Sequence, residues 1–305
     1  MQRVAVARNA MATRFEIVLC GENATSLRAA GEEALDEIER LEAQLSIYRP
    51  SSEIANINAR AAREPVRVEP ALFRLLQRAK QLSEETEGAF DITIAPLMRI
   101  WGLMGTKVGL RVRPSGAELA EARACVGMGL VELNPKNFTI RFVRPGVMLD
   151  LGAIGKGYAI EQAAEILRET GVTRALIHGG TSTVCAIGGP WKVAIDSDKE
   201  DPLTVVELTN MALSVSAVWG KSFQIGDKTY GHVLDPRTGK PVNRALLAAV
   251  ILPSATETDA LSTALLTVGV PGHKQIQTLR SGMRSLVLSK ARKVSLRGIA
   301  DVRVS

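Results

Sequence analysis

The sequence predicts an α+β fold with mixed, largely antiparallel sheets and flanking helices. Helical periodicity dominates the early part of the chain, and short strand-like runs dominate the second half. No fixed-period repeat and no low-complexity linker interrupts the 305 residues. That length suffices for one large core or two moderate ones. The expected organisation is a single domain over 1–305, with a helix-richer lobe over about 1–145 and a strand-richer lobe over about 146–305.

The elements follow in order. Alternation predicts a strand around Arg14–Cys20. Leu27, Ala30, Ala34, Leu35, Ile38, Leu41 and Leu45 recur at helical spacing, so Ala24–Leu45 is a long amphipathic helix. Pro50 and its serines make "SIYRPSSEIANIN" a turn, and a second helix runs from Pro70 to Glu87, stopped by Gly88. "GAFDITIAPLMRIWGLM" is irregular and partly buried. Ser115 can cap a short helix through Ala124. "LVELNPKNFTIRF" carries turn residues between two alternating runs and predicts a hairpin. Val147–Leu151 reads as a buried strand, and Gly157–Thr170 as a helix ended by Gly171. "RALIHGGTSTVCAIGG", "WKVAID", "TVVELTN", "ALSVSAV" and "LLAAVILPSA" are strand-like. "TETDALSTALLTVG" is a helix with Thr256 or Thr258 as N-cap, and "RSLVLSK" and "KVSLRG" supply closing strands.

Composition narrows the function classes. The chain is 46% hydrophobic and 23% charged, as in ordinary soluble proteins, with a formal net charge of +6. The charge suits anionic ligands, but the basic residues are spread thinly without interleaved aromatics, so no nucleic-acid partner is expected. Cys20, Cys125 and Cys185 lack metal-ligand spacing and are too few for a disulfide framework. No apolar run reaches the length of a transmembrane segment. The absence of an export signal in the chain points to a cytoplasmic location.

Three clusters carry chemistry. In "MLDLGAIGKGYAIEQAAEIL", a loop opens a helix, and glycines surround Lys156. The P-loop pattern fails, because Asp150 stands where its first glycine belongs and Gly157 where its hydroxyl belongs. The dinucleotide pattern fails at Ile160. An anion site at the helix N-terminus competes with a plain tight turn. In "YGHVLDPRTGKPV", His232 adjoins turn residues, and a solvated surface turn is the bland alternative. In "TDALSTALLTVG", Asp259 and Thr263 share a helix face and offer hard oxygens suited to Mg²⁺, unless Asp259 merely favours its own helix dipole.

Taken together, "MATRFEI", "LSIYRPSSEIANIN", "GAFDITIAPLMRIWG", "DLGAIGKGYAIEQAAEIL", "HVLDPRTGKPV" and "TDALSTALLTVG" occur in an order that resembles the ApbE-type flavin transferases, the FAD:protein FMN transferase family. The resemblance implies two lobes around a flavin cleft. It implies that FAD contacts fall on Met11, Tyr48, Ala89, Phe90, Asp91, Asp150, Lys156 and Val233. It implies metal ligation by Asp259, Thr263 and the backbone carbonyl of Ala153. It implies that His232 borders the reacting phosphates. Two departures stand out: Ala12 and Ala217 replace glycines usual in the family.

The implied reaction is Mg²⁺-dependent transfer of FMN from FAD to a Thr or Ser hydroxyl of a target protein, releasing AMP. His232 is the candidate for proton transfer, since an imidazole titrates nearest neutrality. Asp259 is the candidate for holding the metal at the reacting phosphates. An FAD pyrophosphatase and a non-catalytic FAD-binding protein are the alternatives the sequence leaves open. A generic Mg-nucleotide phosphotransferase is disfavoured by the failed P-loop test.

Overall fold

Val4 and Val6 alternate with exposed neighbours in strand β1 (Gln2–Ala10), and β2 (Thr13–Gly21) returns antiparallel against it. The computed structural model describes residues 1–104, 113–196, 202–219, 222–225 and 228–299. The strand expected at Arg14–Cys20 is β2. Its partner and the two-residue turn between them escaped the sequence reading. That turn is Met11–Ala12, both with positive φ (49° and 57°). Asn-Gly normally signals such a turn, and Met-Ala does not.

Helix α1 (Ala24–Leu45) has the predicted bounds, and the Asn23 side chain accepts from the N–H groups of Thr25 and Ser26. The turn after it is shorter than expected. The Ser52 hydroxyl accepts from the Ala55 N–H and starts helix α2 (Glu53–Arg60), which buries Ile54 and Ile57. Then come β3 (Val66–Arg67) and α3 (Pro70–Glu85), which has proline in its first turn. The irregular segment contains one short helix, α4 (Ala95–Ile100). A Ser115–Glu118 capping box opens α5 (Gly116–Arg123). Strands β4 (Val131–Asn134) and β5 (Thr139–Phe142) form the predicted hairpin.

Val147–Leu151 is not a strand. It is largely buried, but Asn58 takes the place of a neighbouring strand. The Asn58 amide accepts from the Leu149 N–H (2.7 Å) and donates to the Leu149 carbonyl (2.9 Å). The Asp150 N–H is satisfied by the Ile92 carbonyl. Periodicity detects burial here but not the side chain that replaces the ladder.

Helix α6 (Gly155–Glu169) follows, then β6 (Ala175–Gly179), β7 (Thr183–Ile187), β8 (Trp191–Ile195), β9 (Thr204–Leu208) and β10 (Ala212–Ala217). Short strands β11 (Ser222–Ile225), β12 (Lys228–Gly231), β13 (Leu234–Asp235) and β14 (Lys240–Pro241) lead to β15 (Ala245–Leu252). Helix α7 (Ala255–Thr278) is capped by Ser254 rather than by Thr256 or Thr258. Gly269 breaks its dihedrals where the sequence predicts an end, and Pro271 restarts it. Strands β16 (Arg284–Ser289) and β17 (Val294–Arg297) close the described chain.

All pairings among the described strands are antiparallel, which is the predicted α+β class. The residues group into two units interleaved along the sequence, rather than two contiguous lobes parting near 145. The reason is pairing: β2 lies beside β6, so the N-terminal hairpin joins the later strands. The first unit (Met1–Glu42, Ile154–Ala217, Ala245–Ser305) is built on an eight-stranded sheet ordered β1-β2-β6-β7-β10-β15-β16-β17. The second unit (Ala43–Ala153, Val218–Arg244) holds α2 to α5, the β3-β5-β4 sheet and two small hairpins.

In the first unit, α6 and α7 pack at Gly157. A Cβ there would stand 2.2 Å from the Ala255 carbonyl oxygen and 2.7 Å from the Asp259 Cβ. The Glu161 carboxylate adds a staple, accepting from the Ser254 hydroxyl (2.8 Å) and the Thr256 N–H (2.7 Å). On the same unit, His273 is 1% exposed, with its ring nitrogens 2.9 Å from the Ser295 hydroxyl and 2.8 Å from that of Ser285. Burial, then the charge of Arg297, pushes its pKa down to about 4.

Three outcomes follow from this packing. Ala12→Gly relieves a left-handed alanine and raises stability by about 1 kcal/mol, read from urea denaturation. Gly157→Ala forces α6 and α7 apart and costs about 2–3 kcal/mol in the same measurement. His273 makes stability pH-dependent. Its pKa is lower folded than unfolded, so its contribution is intact above the ordinary value near 6.5. As pH falls from there towards 4, the unfolded chain takes up a proton that the folded one refuses. Stability therefore drops over this window by at most about 1.4 kcal/mol per pH unit. Urea midpoints at about pH 7 and about pH 5 measure it, and His273→Gln flattens the difference.

Candidate functional site

In the first unit the chemistry gathers at the start of α6 and the second turn of α7. Ile154 provides no side-chain cap for α6. Instead the Gly157 N–H donates to Asp259 Oδ2 at 2.9 Å. Asp259 is 4% exposed. Its carboxylate thus caps a neighbouring helix, where the positive end of the dipole offsets its burial. That differs from the bland expectation that it favours its own helix. Its Oδ1 makes no hydrogen bond among the described residues. The Thr263 hydroxyl lies one turn on, 3.3 Å from the Asp259 carbonyl and 3.2 Å from the Ser216 hydroxyl. Lys156 is half-buried in the first turn of α6, and Met11 sits in the β1–β2 turn.

Among the described residues, no three His, Cys, Asp or Glu side chains group to hold a metal ion. The expected donor set contains only one acid, so it would not form such a group. Its chemistry nevertheless fits a hard cation. Mg²⁺ retains waters and takes phosphate oxygens, and needs only one or two carboxylates from the protein.

The second unit carries the other expected residues. Tyr48 is 62% exposed, unusual for a large aromatic in this chain. Partial burial, then the negative charge of Asp150, raises its phenol pKa. Asp150 is buried, and its Oδ1 accepts from the Gly152 N–H at 2.6 Å, shaping the loop that carries Ala153. Ala89, Phe90 and Asp91 are buried. Asp91 accepts from the Ser83 hydroxyl, both the N–H and hydroxyl of Thr93, and the Met128 N–H. Both its oxygens serve this network, so the side chain is framework. What this segment can present to a ligand is its backbone.

His232 and Val233 are half-buried and precede a rigid turn. Asp235 is not the solvated residue of the bland alternative. It is buried and holds Arg237 through two contacts, 2.9 Å to Nε and 3.0 Å to Nη2. The pairing raises the Arg237 pKa. The Trp101 indole N–H donates to the Gly239 carbonyl at 2.7 Å, and a Cβ on Gly239 would meet Leu97 and Leu119 within 2.8 Å. The Val242 N–H closes the turn on the Val233 carbonyl.

Ser216 and Asn58 escaped the sequence reading as site-supporting residues, whereas Ser262 was visible three residues from Asp259. The i, i+2 placement of Ser214 and Ser216 in an apolar strand was the available signal.

No described helix is long and apolar enough to cross a membrane. Similar proteins extend along most of the chain. An FAD:protein FMN transferase of Klebsiella pneumoniae is 29% identical over 264 residues, covering 83% of this chain and 74% of that one. Another, of Haemophilus influenzae, is 29% identical over 260 residues, 80% of this chain and 75% of that one. Among solved structures, the ApbE protein of Thermotoga maritima superposes with a TM-score of 0.90 at 27% identity, covering 97% of each chain. The flavinyl transferase ApbE of Pseudomonas stutzeri gives 0.83 at 25% identity, over 97% of this chain and 94% of that one. The ApbE family model matches residues 11–287, and the chain belongs to the ApbE family.

Proposed function

We propose that this chain is an FAD:protein FMN transferase. A Thr or Ser hydroxyl of a target protein attacks the FMN-side phosphorus of FAD. A phosphoester bond to FMN forms, the pyrophosphate bond breaks, and AMP leaves. The observation that carries this reading is the family match over residues 11–287, with curated relatives of that activity covering most of the chain.

The residues have separable tasks in this reading. Asp259 through its second oxygen, Thr263 through its hydroxyl and Ala153 through its carbonyl would hold Mg²⁺. The bound ion would neutralise pyrophosphate charge and polarise its oxygens. Lys156 and the first-turn N–H groups of α6 add positive potential for the phosphates. Tyr48 offers an exposed aromatic face to the flavin ring. Asp150 serves a hydroxyl or ring N–H of FAD, and Met11 and Val233 border the ligand. Ala89, Phe90 and Asp91 act on FAD through the backbone they hold in place. His232 takes the proton from the attacking hydroxyl.

The test incubates the protein with FAD, Mg²⁺ and a flavoprotein carrying an acceptor Thr or Ser. Covalent flavin fluorescence on a denaturing gel and AMP release are followed together. Transfer yields both signals. AMP without labelled protein favours an FAD pyrophosphatase, and bound FAD with neither product favours a binding protein. His232→Ala lowers both signals by about 10²–10⁴-fold while FAD binding persists. Unchanged transfer rates would remove His232 from its role.

A further inference from the structure

A row of hydroxyls lies between β10 and α7, all in the first unit. Ser214 and Ser216 are two apart on β10 and share a face. On α7, Thr258 meets Ser214 at 2.9 Å, and Ser262 meets Ser216 at 2.8 Å. Thr263 meets Ser216 at 3.2 Å. Ser214, Thr258 and Ser262 have no measurable exposure. The upper half of this row ends on the hydroxyl expected to bind the metal.

Proton accounting gives the row a direction. Each hydroxyl has one proton to donate, and a carbonyl only accepts. The Ser262 hydroxyl donates to the Asp259 carbonyl at 3.0 Å. Its oxygen must then accept from Ser216 across 2.8 Å. With the Ser216 proton spent, its oxygen can only accept, and the Thr263 proton lies between that oxygen at 3.2 Å and the Asp259 carbonyl at 3.3 Å. The Thr263 proton is thereby drawn away, and its lone pairs are left outward. A hydroxyl that ligates a cation needs this state, since a proton pointing at the ion would repel it.

We propose that Ser216 is a positioning residue that holds the Thr263 hydroxyl in the acceptor orientation required to bind Mg²⁺, through a one-way hydrogen-bond chain from Thr263 to Ser216 to Ser262 to the Asp259 carbonyl. This rests on the metal assignment made under the proposed function. In this assignment Ser216 acts on the ion only through Thr263. The same chain fixes Asp259 and Thr263 relative to each other, because both ends of the row lie on one turn of α7.

The test titrates Mg²⁺ alone into the full chain calorimetrically and measures urea stability without Mg²⁺ in parallel. Ser216→Ala weakens Mg²⁺ binding about tenfold, in the range seen when a ligand loses its supporting hydrogen bond. Ser216→Thr keeps the hydroxyl and restores affinity. Ser262→Ala removes the acceptor of the Ser216 proton and weakens binding as well, which keeps the test open if Ser216→Ala folds poorly. Equal Mg²⁺ affinity in wild type and Ser216→Ala overturns the inference and leaves the transferase reading standing. A Ser216→Thr protein as weak as Ser216→Ala also overturns it, and assigns Ser216 to packing. Wild-type protein that binds no Mg²⁺ overturns the metal assignment and this inference with it, while FMN transfer is judged by its own assay.

Discussion

The contact between the Gly157 N–H and the Asp259 carboxylate is the constraint on which the first unit's chemistry depends. It joins two helices whose sequences are 102 residues apart. It exists only because residue 157 has no side chain, since any Cβ would meet the Ala255 backbone. A buried carboxylate is costly unless hydrogen-bonded and electrostatically matched. Here the α6 N-terminus supplies both terms. One oxygen is thereby immobilised, and the other is held without spending side-chain entropy at the moment of ligand binding. The Glu161 staple on Ser254 and Thr256 holds the same pair of helices one turn away.

The second unit uses a different device for the same end. Its candidate site residues sit on loops, so rigidity comes from local closure rather than from helices. Asp235 and Arg237 lock a turn, and the Gly239 carbonyl is tied to Trp101. Trp101 belongs to a core with Leu97, Ala122 and Leu234, and its ring lies 6.0 Å from that of Tyr230. His232 and Val233 are therefore flanked by anchored residues on both sides. Asp150 shapes the next loop through Gly152, and Asn58 anchors the chain just before it. A loop carrying Ala153 can present a carbonyl in one direction only if its own hydrogen bonds are met.

What the sequence made legible follows from the range of each interaction. Helix α1 was readable to the residue, because its stripe of apolar positions repeats over six turns. The β4–β5 hairpin and the Ser115 cap of α5 were readable because their signals are local. The β1–β2 turn was not, since Met11 and Ala12 carry no turn chemistry and are held at positive φ by the strands they join. Helix α2 was hidden behind Pro50 and its serines, although Ser52 is the cap that starts it. Val147–Leu151 was read as a strand because burial looks alike whether the partner is a strand or Asn58. At the site, Asp259 and Thr263 were visible as an i, i+4 pair, but the Gly157 contact needs the fold to bring the two helices together.

The family's motif strings mix two kinds of residue, and the structure separates them by hydrogen-bond saturation. Asp91 and Asp235 have both carboxylate oxygens engaged within the chain, so they hold geometry rather than meet a ligand. Asp259 keeps one oxygen uncommitted, Thr263 has lone pairs to spare, and Tyr48 keeps most of its surface exposed. Residues of this second kind have capacity left over for a ligand. The distinction also weighs the two departures from the family pattern. Ala12 occupies a left-handed turn, where its methyl strains the backbone without adding or removing a polar group. Ala217 follows Ser216 and pairs with Leu247 in the regular β10–β15 ladder, where alanine is unstrained. Its Cβ points to the opposite face from the Ser216 hydroxyl, because successive strand residues alternate. The substitution therefore leaves the Ser216–Thr263 hydrogen bond undisturbed, and its consequence is confined to whatever meets the other face of β10.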